Sequence, residues 1–162
     1  MEIFLDISLV LCLALAFIQD WKERSIHLLV FLAIAAIAVG KLMMTDFQLA
    51  IAGFNLLFVA IVIGLLMIYI SLKSGKGVNI FKEHFGIGDL VFYLAITPLF
   101  GSRNFILFFI TGLVLSAIAH SFVLKFKKDS PIPLAGYLSL YLIGIMVVDK
   151  LISKDLFYMD LI

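Results

Sequence analysis

Apolar residues fall in six runs along the chain, divided by short clusters of charge or glycine. The runs predict helices at about Ile3–Gln19, Ile26–Met43, Phe47–Leu72, Leu90–Phe100 with its flanks, Asn104–Leu124 and Pro133–Leu151. A helix needs about 20 largely apolar residues to cross a bilayer. The first and fourth runs lie at the short end of that range, and the fourth lengthens if it takes in Gly86 to Gly101. The connections are short except Ser71–Phe85, which carries Lys73, Gly75, Lys76, Gly77, Lys82 and Glu83. Only that loop has the length to move or to cover a neighbouring surface.

Composition sharpens the pattern. The 162 residues are 64% hydrophobic, against about 45–50% in soluble domains. A water-soluble core of this size cannot hide so much apolar surface. The expected fold is an all-α integral membrane protein with six transmembrane helices, a single transmembrane domain over residues 1–162. The lipid bilayer is its expected surrounding. No basic run interleaved with exposed aromatics points to nucleic acid. The lone cysteine, Cys12, makes neither an intrachain disulfide nor a CxxC metal site, and reads as a small packing residue. The first apolar run lacks a basic n-region and carries Glu2 and Asp6, so it reads as a retained helix rather than a cleaved signal.

Alternate connections group the basic residues. Lys22, Arg24, Lys73, Lys76, Lys82, Lys125, Lys127 and Lys128 fall on one side, and Lys41, Arg103, Lys150 and Lys154 on the other. The larger group is expected to be cytoplasmic, with both termini outside. The acids Asp6, Asp46 and Asp149 then fall on the outer side and are expected to face solvent.

Two aspartates border apolar runs. Asp20 closes AFIQD at the end of the first, and Asp89 opens DLVFYLAI at the start of the fourth. Two helices intervene, so both lie on the same membrane face whatever the absolute orientation. An aspartate at mid-bilayer costs about 2.5–3.5 kcal/mol on insertion scales, and less near the boundary. Each could be a plain end-charge, with Asp89 as a helix N-cap. Gly86 and Gly88, on either side of Ile87, add room for a substrate backbone beside the Asp89 carboxylate.

Two carboxylates sharing a site do not both ionise easily. At about 4 Å and an effective dielectric of roughly 20, their repulsion is on the order of 4 kcal/mol. One keeps a proton, the other does not, and the pair titrates as a unit. The ionised member can activate a water and the protonated one can donate to a peptide carbonyl, which is aspartic-protease chemistry. It needs no metal and no other cofactor.

The segment Asp20-Trp21-Lys22-Glu23-Arg24-Ser25-Ile26 resembles the first aspartate motif of the type IV prepilin peptidases and preflagellin peptidases, with Lys22, Arg24 and Ile26 at its basic and aliphatic positions. Gly86-Ile87-Gly88-Asp89 is similar to that family's GxGD motif, and Ile132-Pro133-Leu134-Ala135-Gly136-Tyr137 to its proline-containing lead-in to the last helix. The resemblance implies a GxGD-type aspartic membrane endopeptidase that removes the leader of pilin-like precursors at the cytoplasmic face of the cell membrane. By that match Asp20 and Asp89 are the catalytic pair, and Gly86, Gly88, Lys22 and Arg24 line the substrate's approach. The partner implied is a precursor with a basic leader and an apolar N-terminal helix. Val91 stands where many members have lysine, and His27-Leu28 where many have Pro-Asn. The paired CxxC region of the bifunctional, methylating members has no counterpart, so the expectation is a short form without N-methylation.

Other residues carry less. His27 and His84 lie near the same face as the aspartates and could contact substrate. Ser116 and His120 share a helix face, but no GxS element supplies a nucleophile turn. The absence of HExxH disfavours a zinc protease. Phe105, Phe108 and Phe109 read as lipid-facing or packing residues. A different class of function, a non-catalytic membrane binder or a small carrier using the aspartates as an ion or proton site, is also compatible with the two carboxylates. A carrier would show helices broken at mid-membrane or an inverted repeat, and the sequence has neither.

Overall fold

The computed structural model describes residues 2–44, 49–74, 86–124, 132–152 and 157. Its elements are α1 (Glu2–Glu23), α2 (Leu28–Leu42), α3 (Leu49–Ser74), α4 (Ile87–Ile96) with a 3-10 turn at Thr97–Leu99, α5 (Ser102–Leu124) and α6 (Leu134–Ile152). Segments Glu2–Glu23, Leu49–Lys73, Ser102–Val123 and Leu134–Ile152 are long and apolar enough to cross a membrane. Leu28–Leu42 and Ile87–Leu99 are apolar but shorter. The 15 residues of α2 extend about 22 Å at 1.5 Å per residue, less than the roughly 30 Å of a hydrocarbon core. The chain is thus an all-helical, multi-pass membrane protein in which length alone identifies four spans.

The core is built from helical stripes. In α1 the buried residues are Leu9, Leu13, Ala16 and Asp20, spaced by three and four so that they share one face. They meet the stripe Phe31, Ile34, Ala38 and Leu42 of α2, and Ala135, Leu138, Leu142 and Met146 of α6. α1 packs against α6 and α2, α2 also lies along α4, and α5 and α3 flank this group. Phe105, Phe108 and Phe109 are all buried, so they pack the protein rather than face lipid. Phe58 of α3 meets Phe105 and Phe109 edge-on, with ring centroids 6.2 and 5.4 Å apart. Cys12 is half-buried, unbridged and packed against the core.

Helix ends depart from the sequence boundaries for local reasons. α1 runs past Gln19 to Glu23 and stops where Arg24 takes a positive φ of 55°. The Arg24 N–H still donates to the Asp20 carbonyl at 3.2 Å, a left-handed terminus that glycine usually supplies. α4 ends at a proline: Pro98 has no N–H to continue the ladder, and the turn tightens to 3-10. The Leu94 carbonyl that Pro98 leaves free accepts from Thr97 Oγ1 at 2.8 Å, and two carbonyls further on are met by Asn55 of α3. Its buried Nδ2 donates to Thr97 O at 3.1 Å and Phe100 O at 2.8 Å.

Asp6 corrects an expectation. It is not a solvent-facing end-charge: its two oxygens accept from Lys41 of α2 and, at 2.8 Å, Lys150 of α6, and its side chain is only 13% exposed. A carboxylate on the core-facing stripe of a half-buried helix end is costly alone, and two cations from neighbouring helices offset that cost. The bridge ties the start of α1 to the ends of α2 and α6, so α1 runs antiparallel to both. Asp46, His84, Lys125, Lys127 and Lys128 lie outside the described residues, as does the Ser71–Phe85 loop beyond Ser74, where α3 ends.

Replacing Asn55 with alanine leaves two buried carbonyls without their donor. The expected loss is about 1–3 kcal/mol, read as a lower unfolding midpoint in detergent.

Candidate active site

The site is assembled at the N-terminus of α6. The first backbone N–H groups of any helix have no partner within it. In α6 the ladder begins with Tyr137 N–H donating to Pro133 O at 3.1 Å, so the amides of Ala135 and Gly136 point out of the helix unpaired by it. Each is taken by a carboxylate from a different helix. Gly136 N–H donates to Asp20 Oδ2 at 2.6 Å, and Ala135 N–H donates to Asp89 Oδ1 at 2.8 Å. The positive end of the α6 dipole favours negative charge at this point. Two carboxylates 69 residues apart in sequence are thereby held on successive amides, close enough for the charge of Asp20 to act on Asp89.

Asp20 reaches this point because it continues the buried stripe of α1, and it is 8% exposed. The approach is tight. A Cβ on Gly136 would stand 3.1 Å from Asp20 Oδ2 and 3.3 Å from Asp20 Cβ, so any larger residue pushes the Asp20 side chain back by a few tenths of an ångström. Aromatic rings bracket the contact. Trp21 meets Tyr137 edge-on at 5.9 Å, Phe17 lies 5.9 Å behind Trp21, and His120 of α5 faces Tyr137 at 6.2 Å.

Asp89 lies in the first turn of α4 but is not its N-cap. That position belongs to Gly86, whose carbonyl accepts from the N–H groups of Asp89 at 3.1 Å and Leu90 at 3.3 Å. The Asp89 carboxylate reaches two ways, taking a hydrogen bond from the Gly86 amide at its own helix end and one from Ala135 of α6. A Cβ on Gly86 would fall 2.8 Å from Asp89 Oδ2, whereas one on Gly88 would make an ordinary 3.8 Å contact with Phe31. Gly86 is required by the resting geometry of the carboxylate, and Gly88 is not required by packing.

The basic residues divide. The guanidinium of Arg24 is close enough to act on Asp20. Lys22 is exposed in the last turn of α1, and among the described residues no hydrogen bond or ion pair joins it to either carboxylate. His27 serves the turn instead: it is the N-cap of α2, and its backbone N–H donates to Gln19 Oε1 at 3.0 Å. Ser116 and His120 are both buried in α5. Among the described residues no group of three or more His, Cys, Asp or Glu is arranged to hold a metal ion.

The structure thus adds two backbone groups, the amides of Ala135 and Gly136, which no side-chain pattern reports. The cue lay in a proline followed by small residues at the head of an apolar run. Pro133 opens a helix, and Ala135 and Gly136 leave space beside its exposed amides.

The sequence model of the type IV leader peptidase family matches residues 7–121, which include Asp20 and Asp89 and stop before α6. No curated protein and no solved structure matches the chain.

Alanine at position 20 or 89 removes an acceptor from a helix N-terminus and is expected to cost about 0.5–2 kcal/mol. Asparagine keeps an acceptor oxygen and is expected to cost less at each position. Denaturant unfolding in detergent of the four single variants checks the difference.

Proposed function

The chain belongs to the type IV leader peptidase family, and on that premise we propose that it is an aspartic endopeptidase whose catalytic pair is Asp20 and Asp89. The observation that carries this reading is the seating of both carboxylates on successive amides of α6. Two end-charges with no shared task would not need to converge on one helix terminus.

The reaction follows from the pair. One carboxylate, ionised, takes a proton from a water, whose oxygen attacks the scissile carbonyl carbon. The other carboxyl, protonated, donates to the carbonyl oxygen as the tetrahedral species forms. Collapse breaks the C–N bond while a proton passes to the leaving nitrogen, and the pair again holds one proton between them. Each carboxylate has an oxygen on a backbone amide of α6, and Asp89 also takes the Gly86 amide, which fixes their directions without covalent or metal chemistry. Fixed, partly buried groups of this kind lose little in reorganisation when charge moves.

The substrate class proposed is a pilin-like precursor with a basic leader and an apolar N-terminal helix. An apolar substrate helix can lie in the bilayer beside this chain, with its leader junction at the end of α1 and the start of α4. Gly88, not needed for packing, leaves the α4 end open to a substrate backbone. Lys22 and Arg24 belong to the larger group of basic residues, which favours the cytoplasmic face for this end.

Cleavage of a co-expressed pilin-like precursor in membranes tests the reading. Asp20→Asn and Asp89→Asn are each expected to lower cleavage by at least about a hundredfold while the protein remains folded in the membrane. Activity retained by either variant of an active chain overturns the two-aspartate mechanism.

The glycines give a separate test. Gly136→Ala and Gly86→Ala push directly on the two carboxylates and are expected to lower kcat. Gly88→Ala leaves the unfolding midpoint unchanged, and if Gly88 makes room for substrate the variant raises KM. The same cleavage assay, run over precursor concentration, separates these effects.

A further inference from the structure

Tyr93 stands one turn beyond Asp89 on α4, at the spacing that places two side chains on one helix face. Its side chain is fully buried, 0% exposed. The ring packs at 4.6 Å against Phe109 of α5 and at 6.5 Å against Phe92. The hydroxyl has no hydrogen-bond partner among the described residues. A buried O–H without an acceptor is a cost to the fold, and phenylalanine would fill the same volume without it. The carboxylate near enough to act on this hydroxyl is Asp89, which has one oxygen on the Ala135 amide and also takes a hydrogen bond from the Gly86 amide.

We propose that Tyr93 is a positioning residue of the site: its hydroxyl donates to the Asp89 carboxyl when substrate is bound and fixes that carboxyl's working orientation. The inference rests on the peptidase reading. It deepens that reading by giving Asp89 a side-chain support from the buried stripe of α4, beside the backbone amides of Ala135 and Gly86. A shift of the carboxyl toward the hydroxyl gives that hydroxyl its acceptor. The unmet donor of the resting site then has its acceptor in the substrate complex, so the bond favours the working arrangement over the resting one.

Tyr93→Phe removes one oxygen and keeps the ring. In membranes, with a pilin-like precursor, the variant is expected to lose about 10- to 100-fold in kcat, the worth of a hydrogen bond to a charged group. KM is expected to stay unchanged, and the unfolding temperature to equal or exceed that of the native chain. A kcat within about twofold of native, or a fall in kcat matched by a fall in unfolding temperature, overturns the proposal.

A second readout needs no turnover. In chains carrying 13C-labelled aspartate, the infrared carboxyl band lost in Asp89→Asn identifies Asp89. With an uncleavable precursor analogue bound, that band is expected to shift between native and Tyr93→Phe, and an unshifted band overturns the contact. A native chain that cuts no precursor overturns the peptidase reading, while the band still decides whether Tyr93 holds Asp89.

Discussion

The arrangement of the molecule hangs on the first turn of α6. A helix start exposes N–H groups that must be paired or hydrated, and inside a membrane bundle little water is at hand. Most helices meet this need with a local serine, threonine or aspartate just upstream. Here Pro133 stands upstream and offers no such side chain. The acceptors arrive instead from α1 and α4, as Asp20 on Gly136 and Asp89 on Ala135. One capping requirement thereby fixes the relative placement of three helices and sets two carboxylates side by side.

The opposite end of α1 has the complementary device. Asp6 is held by Lys41 and Lys150, cations near the C-termini of α2 and α6, where the helix dipole favours positive charge. α1 is thus pinned to α6 at both ends, by Asp6 to Lys150 and by Asp20 to Gly136. Between the pins its stripe Leu9, Leu13 and Ala16 sets the close packing. A rigid α1 matters for the proposed chemistry, since a carboxylate on a fraying helix end could not keep its partner. The positive φ of Arg24 belongs to the same logic: the helix ends abruptly one turn after Asp20, and its terminus turns a cation back toward that carboxylate.

Much of this was legible in the sequence. The apolar runs located the six α-helices among the described residues, because the membrane demands long uninterrupted stretches and the chain breaks them with charge and glycine. Both aspartates stood out as carboxylates at run boundaries, and the even number of helices between them put them on one face. Three things were not legible. The lengths of α2 and α4 were overestimated, because apolar residues such as Ile26, Met43 and Phe100 continue the pattern past the last helical residue. The ion-paired state of Asp6 depends on Lys41 and Lys150, 35 and 144 residues away, and no local pattern reports a partner at that range. The role of Ala135 and Gly136 escaped because it is played by the backbone, and a reading of side-chain chemistry has no letter for an amide. The family match, which stops at residue 121, leaves the same segment out.

That omission bears on how such a site is built. The side chains that carry out the proposed chemistry sit in the matched portion, and the groups that aim them sit beyond it. An amide asks only that its residue be small and its helix begin at the right height, so many sequences can supply it. Gly136 is constrained by the approach of Asp20, with a Cβ at 3.1 Å from the carboxylate oxygen. Ala135 is constrained by its place one residue earlier and by its burial on the core-facing stripe of α6. A pair of aspartates on α1 and α4 is therefore not by itself a site. On the proposed reading it becomes one when a third helix starts between them, at Pro133, with space at Gly136 and the aromatic contact of Tyr137 with Trp21.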